Sequence, residues 1–156
     1  MNEQSNNINL KNDESSTQAS VVEVNDERTQ HAYNFIKKSL GNKEKEKDLR
    51  SLVRGFPAMI QNNGLCAAIA FLLAKNKKDQ HNALYQTIEN WLIDRKLISL
   101  KNGDKEESKD LLEAVINLKN RDQYRMVSGE VMMYMQWVKR FAEGMLSEDE
   151  PEPEQE

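Results

Sequence analysis

The stretch Asn120-Arg-Asp-Gln-Tyr-Arg-Met-Val-Ser-Gly-Glu-Val-Met-Met-Tyr-Met-Gln-Trp-Val-Lys-Arg-Phe-Ala-Glu-Gly-Met-Leu146 decides the fold class. Tyr124, Val127, Val131, Tyr134, Val138, Phe141 and Met145 recur at spacings of three and four, which is one face of an α-helix. With Val138 at the centre of the wheel, the apolar arc runs from Met133 and Met126 through Trp137 and Phe141 to Met135. At about 100° per residue this arc is roughly 200° wide, twice the stripe of an ordinary surface helix. A helix of this kind packs on its own core and also on a second layer or a partner. The remaining arc carries Arg121, Arg125, Ser128, Gln136, Lys139 and Arg140, with Glu143 as the acid set among them. Arg121, Arg125, Lys139 and Arg140 are therefore candidate contacts to a polyanion. Their alternative reading is a solvated outer face. Met126, Met132 and Met133 are candidates for a protein interface, since methionine adapts to varied surfaces. Their alternative is a helix buried on more sides.

The rest of the chain reads as helix in the same way, so the expected fold is all-α, a compact bundle of about six helices with disordered acidic termini. Residues 1–25 form an acidic arm rich in Asn, Ser, Glu and Gln without a sustained period. Residues 26–146 form the helical domain, and residues 147–156 an acidic tail that repels itself and buries nothing. The first helix is expected from Asp26 to Leu40, capped by Asn25 and stopped by Gly41, with Ala32, Phe35, Ile36 and Leu40 buried. A second begins near Lys45 and carries Leu49, Leu52, Val53 and Phe56; Pro57 predicts a kink or break, followed by a short turn ending at Gly64. Leu65–Lys75 is the third helix, with Phe71 and Leu72 in the core. Gln80–Lys96 is the fourth, packing through Leu84, Tyr85, Ile88, Trp91 and Leu92. Lys101–Glu107 is a polar loop. Ser108 is expected to cap a fifth helix carrying Leu111, Leu112, Val115, Ile116 and Leu118. Asn120 and Gln123 form a capping box for the sixth.

Charge is distributed unevenly. The 156 residues carry a net −4, but residues 1–27 hold −5 and residues 147–156 hold −6. The body between them, residues 28–146, has 21 bases against 14 acids, a net of +7. A basic body of this size favours polyanion partners.

The sequence offers little to catalysis. His31 and His81 have no companion at metal-ligand spacing and read as surface or cap residues. Cys66, the single cysteine, sits among Leu65, Ala67 and Ala68 and reads as a structural thiol. The six glycines are scattered, with no phosphate-binding loop. No catalytic residue, metal or cofactor is expected. The lone cysteine and the polar, acidic N-terminus point to a reduced, cytoplasmic setting. The longest apolar run, Leu65–Ala74, would span only about 15 Å as a helix, half a bilayer's hydrocarbon core, and so predicts no membrane partner.

Several pieces in order resemble a known family, the small all-helical subunit of the type III-B CRISPR effector, often called the fifth subunit of the Cmr complex. They are Arg28-Thr-Gln-His-Ala-Tyr33, Phe56-Pro-Ala-Met-Ile60 before Asn63-Gly64-Leu65, Ala70-Phe71-Leu72, Trp91-Leu92, Tyr124-Arg125, Glu130, and Trp137-Val138-Lys139-Arg140-Phe141-Ala142. Together they cover about residues 26 to 146; the acidic arms depart from the family pattern. The resemblance implies a non-catalytic structural subunit of a ribonucleoprotein for antiviral defence. It would stack with further copies of itself along the backbone subunits that hold the CRISPR RNA, help hold target RNA, and connect to the large subunit. It also implies that Tyr124 and Trp137 are structural and that Arg125, Lys139 and Arg140 lie on the RNA-binding ridge. The alternative is a helical adaptor or regulator that binds only protein.

Overall fold

The computed structural model describes residues 11–100 and 108–148, with side chains from Glu23 onward. Six helices account for the described fold: α1 Lys11–Lys38, α2 Lys43–Asn63, α3 Leu65–Ala74, α4 Asp79–Asp94, α5 Leu111–Ile116 and α6 Arg121–Met145. Helix α6 is the axis of the molecule. It packs along α1 on one side and α2 on the other, while α3, α4 and α5 close the remaining faces of one core. Contacts Arg28–Glu130 and His31–Tyr134 keep a nearly constant offset, so α1 runs parallel to α6. Arg50 meets Leu146 and the start of α3 meets Tyr124, so α2 runs antiparallel to it.

The wide apolar arc of α6 is filled as its pattern predicts. Val127, Val131, Tyr134, Met135, Val138 and Ala142 are buried, while Tyr124, Phe141 and Met145 are half-buried at its edges. The cap at Asn120 forms: its Oδ1 accepts the Gln123 backbone N–H at 2.9 Å. The Gln123 side chain reaches back one residue further than a capping box requires and accepts the Lys119 N–H.

Other expectations need correction. Helix α1 begins at Lys11, not Asp26, and Asn25 lies inside it, its carbonyl accepting the Thr29 hydroxyl. No Pro or Gly interrupts residues 11–38, so nothing in the backbone stops the helix from extending back. Residues 1–10 of the acidic arm, 149–156 of the tail and the polar loop 101–107 lie outside the described residues. Leu40, expected on the buried face of α1, is exposed because the helix has already ended at Lys38. Helix α2 is not broken at Pro57. Pro57 removes only the bond to the Val53 carbonyl, and burial of Val53, Phe56 and Ile60 on one face holds the helix on both sides of it. The fifth helix is capped by Asp110, whose Oδ1 accepts the Glu113 N–H at 2.9 Å, and not by Ser108. Ser108 instead bridges to Leu100. Ile116, at the end of this six-residue helix, is 62 % exposed. Leu72 is fully buried, but Phe71 is only half-buried, with Lys75 Nζ 4.7 Å over its ring and the His81 ring tilted against it at 5.5 Å.

Gly64 joins α2 to α3. Its N–H closes α2 on the Ile60 carbonyl, its carbonyl starts α3 by accepting from Ala68, and its φ is +87°. A Cβ there would meet the Tyr124 hydroxyl at 3.3 Å, and that hydroxyl accepts the Cys66 N–H. Glycine thus supplies both the left-handed backbone and the close approach of α6.

The centre of the fold is polar as well as aromatic. Arg28 on α1 holds Glu130 on α6 through two bonds, Nε to Oε1 at 2.8 Å and Nη2 to Oε2 at 3.0 Å. The Trp91 indole N–H of α4 donates to the same Oε1 at 3.0 Å. Trp91 stacks on Tyr134, whose hydroxyl lies 2.8 Å from both His31 Nδ1 and Thr87 Oγ1. His31 is therefore a half-buried member of this network and not a surface or cap residue. Burial pushes the Glu130 carboxyl up, but the Arg28 and Trp91 hydrogen bonds and the Arg28 and Arg95 charges outweigh it and hold it below its ordinary value.

Removing one partner of this pair strands a buried charge. Arg28→Met or Glu130→Gln alone should each cost about 3–5 kcal/mol in urea unfolding. The double variant, which keeps an acceptor for Trp91, should cost clearly less than the sum. Strictly additive losses would show that the pair is not coupled.

Burial lowers the His31 pKa, with Asp94 opposing and Lys38 assisting. His81 is lowered as well, first by burial and then by Lys78 and Lys75. The unfolded chain therefore takes up protons first as pH falls through about 6.5, so stability is lost on acidification through that point. The urea midpoint should fall between pH 7.5 and 6.0, and His31→Gln should reduce that fall. A midpoint that rises on acidification would contradict the assignment.

Candidate nucleic-acid interface

The exposed arc of α6 is what remains after the core, α1 and α2 have taken the rest of its circumference. Arg121, Arg125 and Arg140 are exposed, and Lys139 is half-buried. Gln136 and Glu143 share this face, and Asp122 in the first turn, also exposed, adds a second acid to it. The four bases do not form one cluster. Arg121 and Arg125 sit at the start of the helix. Lys139 and Arg140 lie about 20 Å further along, at 1.5 Å per residue. Gly129, Met132 and Gln136 occupy the stretch between. The arrangement is two positive ends of one ridge, suited to an extended anion and not to a single small one.

Arg140 is positioned by its own helix. Its guanidinium lies 5.2 Å from the centre of the Trp137 ring, a cation–π contact that fixes the plane of the fork while leaving it open to solvent. Trp137 in turn stacks on Phe141, and Phe141 meets Tyr33 of α1 edge-on at 5.7 Å. Lys37 sits 5.9 Å over the Tyr33 ring. Half-buried Trp137 and Phe141 therefore form a seam along the α1–α6 groove, with a cation at each end. Tyr124, by contrast, is tied into the α2–α3 junction.

The three candidate interface methionines separate. Met126 and Met133 are exposed, at 55 % and 45 %, on the flank that continues this seam. Met132 is half-buried and falls about 100° around the helix from Met133, among the bases of the ridge itself. Only the first two belong to one apolar surface.

Among the described residues no group of three His, Cys, Asp or Glu side chains is placed to hold a metal ion, and no helix is long and apolar enough to cross a membrane. Cys66 is half-buried in the first turn of α3.

A second cationic feature escaped the sequence reading. Lys43, Lys47, Arg50 and Arg54 recur at spacings of four, three and four on α2. The signal was present, but Glu44, Glu46 and Asp48 alternate with these bases, and the segment reads as mixed charge unless it is placed on a wheel. At about 100° per residue the four bases fall within roughly 60° of one another.

Comparison with known proteins agrees with this architecture. Residues 24–145 match the family model described as CRISPR-associated protein (Cas_Cmr5). The fold is similar to the crystal structure of a CRISPR-associated Cmr5 family protein from Thermus thermophilus, with a TM-score of 0.61 and 23% sequence identity over 79% of this chain and 97% of that one. At that identity the likeness speaks to the fold, and the family match speaks to membership. The chain belongs to the Cmr5 family of CRISPR-associated proteins, and so to the subunits of the Cmr effector complex.

Proposed function

We propose that this subunit is a non-catalytic, structural part of the RNA-guided effector. It stacks with copies of itself along the backbone subunits, contacts the large subunit, and helps hold target RNA on the CRISPR RNA ribonucleoprotein. The observation that carries this reading is the outward-facing arc of α6. It places Arg121, Arg125, Lys139 and Arg140 opposite the buried face, on a body of net charge +7. Two positive ends on one ridge suit the spaced charges of a nucleic-acid backbone, and such contacts add affinity without reading bases. A single copy offers few charges; stacked copies would repeat them along the strand.

The adaptor reading, protein contact alone, draws on the exposed Met126, Met133 and Tyr33. That seam lies on the flank of the basic arc, so the same helix can meet a neighbouring subunit and RNA at once. The two readings diverge in salt dependence.

Lys139→Ala with Arg140→Ala should leave the fold intact, because neither side chain belongs to the core. In a reconstituted effector the pair should weaken target-RNA retention to a similar degree for unrelated target sequences matched to their guides. It should also reduce the salt slope by up to about 2, one for each phosphate that is no longer neutralised. Equal affinity and equal slope for wild type and variant would remove the ridge from the RNA path and leave the protein-only adaptor.

A further inference from the structure

The molecule carries two outward stripes of opposite charge. On α1, Glu23, Asp26 and Glu27 recur at spacings of three and one, and all three are exposed. With Gln30 they make the ridge opposite Arg28, Ala32 and Ile36, which face the core. On α2 the basic stripe of Lys43, Lys47, Arg50 and Arg54 borders a cleft of about 240 Å³, lined by its last three bases with Ser51 and Glu148. Only 11 % of the Arg50 side chain is exposed. Its Nη1 donates to the Leu146 carbonyl at 3.1 Å and its Nη2 to Glu148 Oε1 at 2.8 Å, so a base of this stripe already holds a carboxylate. Among the described residues Lys43, Lys47 and Arg54 have no carboxylate within ion-pairing distance. Glu44 and Asp48, exposed on the same helix, and Glu148 in the cleft place negative charge beside the stripe. Discrete carboxylates can settle between these acids, whereas a continuous phosphate strand would meet their repulsion along its length.

The α1 ridge supplies carboxylates of the right kind. Glu27 Oε2 lies 3.6 Å from Arg95, but Glu23 and Asp26 have no cation within ion-pairing distance among the described residues. Several other acids are engaged: Asp79 with Lys45, Glu130 with Arg28, and Glu89, Asp110 and Glu113 with backbone N–H groups at the start of α5. Within one chain the two stripes cannot meet. The α1 acids lie just before Arg28, which is level with Glu130, while Arg50 is level with Leu146. At 1.5 Å per residue that is a separation of roughly 25 Å along α6, and α1 and α2 flank that helix on different sides. Between two copies they can meet. Glu23 to Glu27 and Lys43 to Lys47 each advance about 6 Å along their helices, so the helices laid side by side bring successive charges opposite one another.

We propose that the α2 stripe of one copy, through Lys43, Lys47 and Arg54, docks on the α1 ridge of a second copy of this chain, through Glu23 and Asp26. The inference rests on the reading of the subunit as one that stacks, and names the surfaces that join neighbours. Two different patches at opposite ends of the molecule make a heterologous contact, which repeats from copy to copy and gives the stack a direction. Exposed ion pairs add little affinity each. Their complementarity sets orientation and register, and placing like stripes together is penalised, so a copy turned end for end is rejected. The backbone subunits supply the proximity that lets such modest contacts act.

The test titrates the full chain into an effector reconstituted without it and counts bound copies by native mass spectrometry. One variant reverses the α2 stripe, Lys47→Glu with Arg54→Glu. A second reverses the α1 ridge, Glu23→Lys with Asp26→Lys, leaving Glu27 to Arg95. A third carries all four changes. Circular dichroism and the urea midpoint confirm that each variant folds. Each single reversal should raise the concentration that fills the effector on the order of tenfold, and the fourfold variant should return it close to wild type, because every neighbour then meets its complement again. If wild type loads several copies and neither reversal shifts the filling, the proposal is overturned and stacking stands on other surfaces. Losses that the fourfold variant does not recover also overturn it. If the α2 reversal weakens target-RNA retention while leaving the copy number unchanged, that stripe meets RNA and the proposal falls. An effector that takes up a single wild-type copy removes the stacking reading itself, and this contact with it.

Discussion

The buried pair of Arg28 and Glu130 is the constraint on which the arrangement depends. It fixes α1 against α6 in register, and Trp91 brings α4 to the same carboxylate. An ion pair in a core is weak evidence for added stability, since its desolvation offsets its attraction. Here it supplies orientation. A purely apolar seam between two long parallel helices would tolerate sliding by a turn. A bidentate fork with a third donor does not. With α1 held on one side and α2 on the other, the remaining arc of α6 has one rotational setting, and that setting turns Arg121, Arg125 and Arg140 outward.

Several pieces that carry the family resemblance meet at this place. Arg28, His31, Trp91 and Glu130 are far apart in sequence and adjacent in space, and Tyr134 lies among them. These residues hold the fold together. The surface on which we base the proposed function is carried by different residues of the same helix, so one helix carries the core on one face and the proposed contacts on the other.

The helices and the core face of α6 were legible because period and capping are local signals. Asn120 with Gln123, the Gly64 junction and the burial of Leu84, Ile88, Trp91 and Leu92 all follow from neighbours in sequence. The misreadings are those that tertiary packing decides. Pro57 lies within a helix because three buried residues around it outweigh one lost bond. Phe71 and Ile116 carry apolar patterns but stand at the edge of what the bundle covers. The Arg28–Glu130 pair spans 102 positions, and nothing in the local sequence of either residue marks it as buried. In the candidate interface the four bases of α6 were legible as one face, while their division into two ends depends on axial distance. Met132 was grouped with Met126 and Met133 by composition, and helical phase separates it. The α2 stripe was hidden by alternating charge and emerges once its four bases are placed on a wheel.

The central claim is that the outward arc of α6 faces RNA in the assembled complex. The most direct measurement is the structure of the reconstituted effector with target RNA bound. The account predicts backbone phosphates within about 4 Å of the Lys139 and Arg140 cationic groups, the range of an ion pair, with the Met126–Met133 flank against a neighbouring subunit. Finding that arc buried under protein, or open to solvent with the RNA running elsewhere, would contradict it.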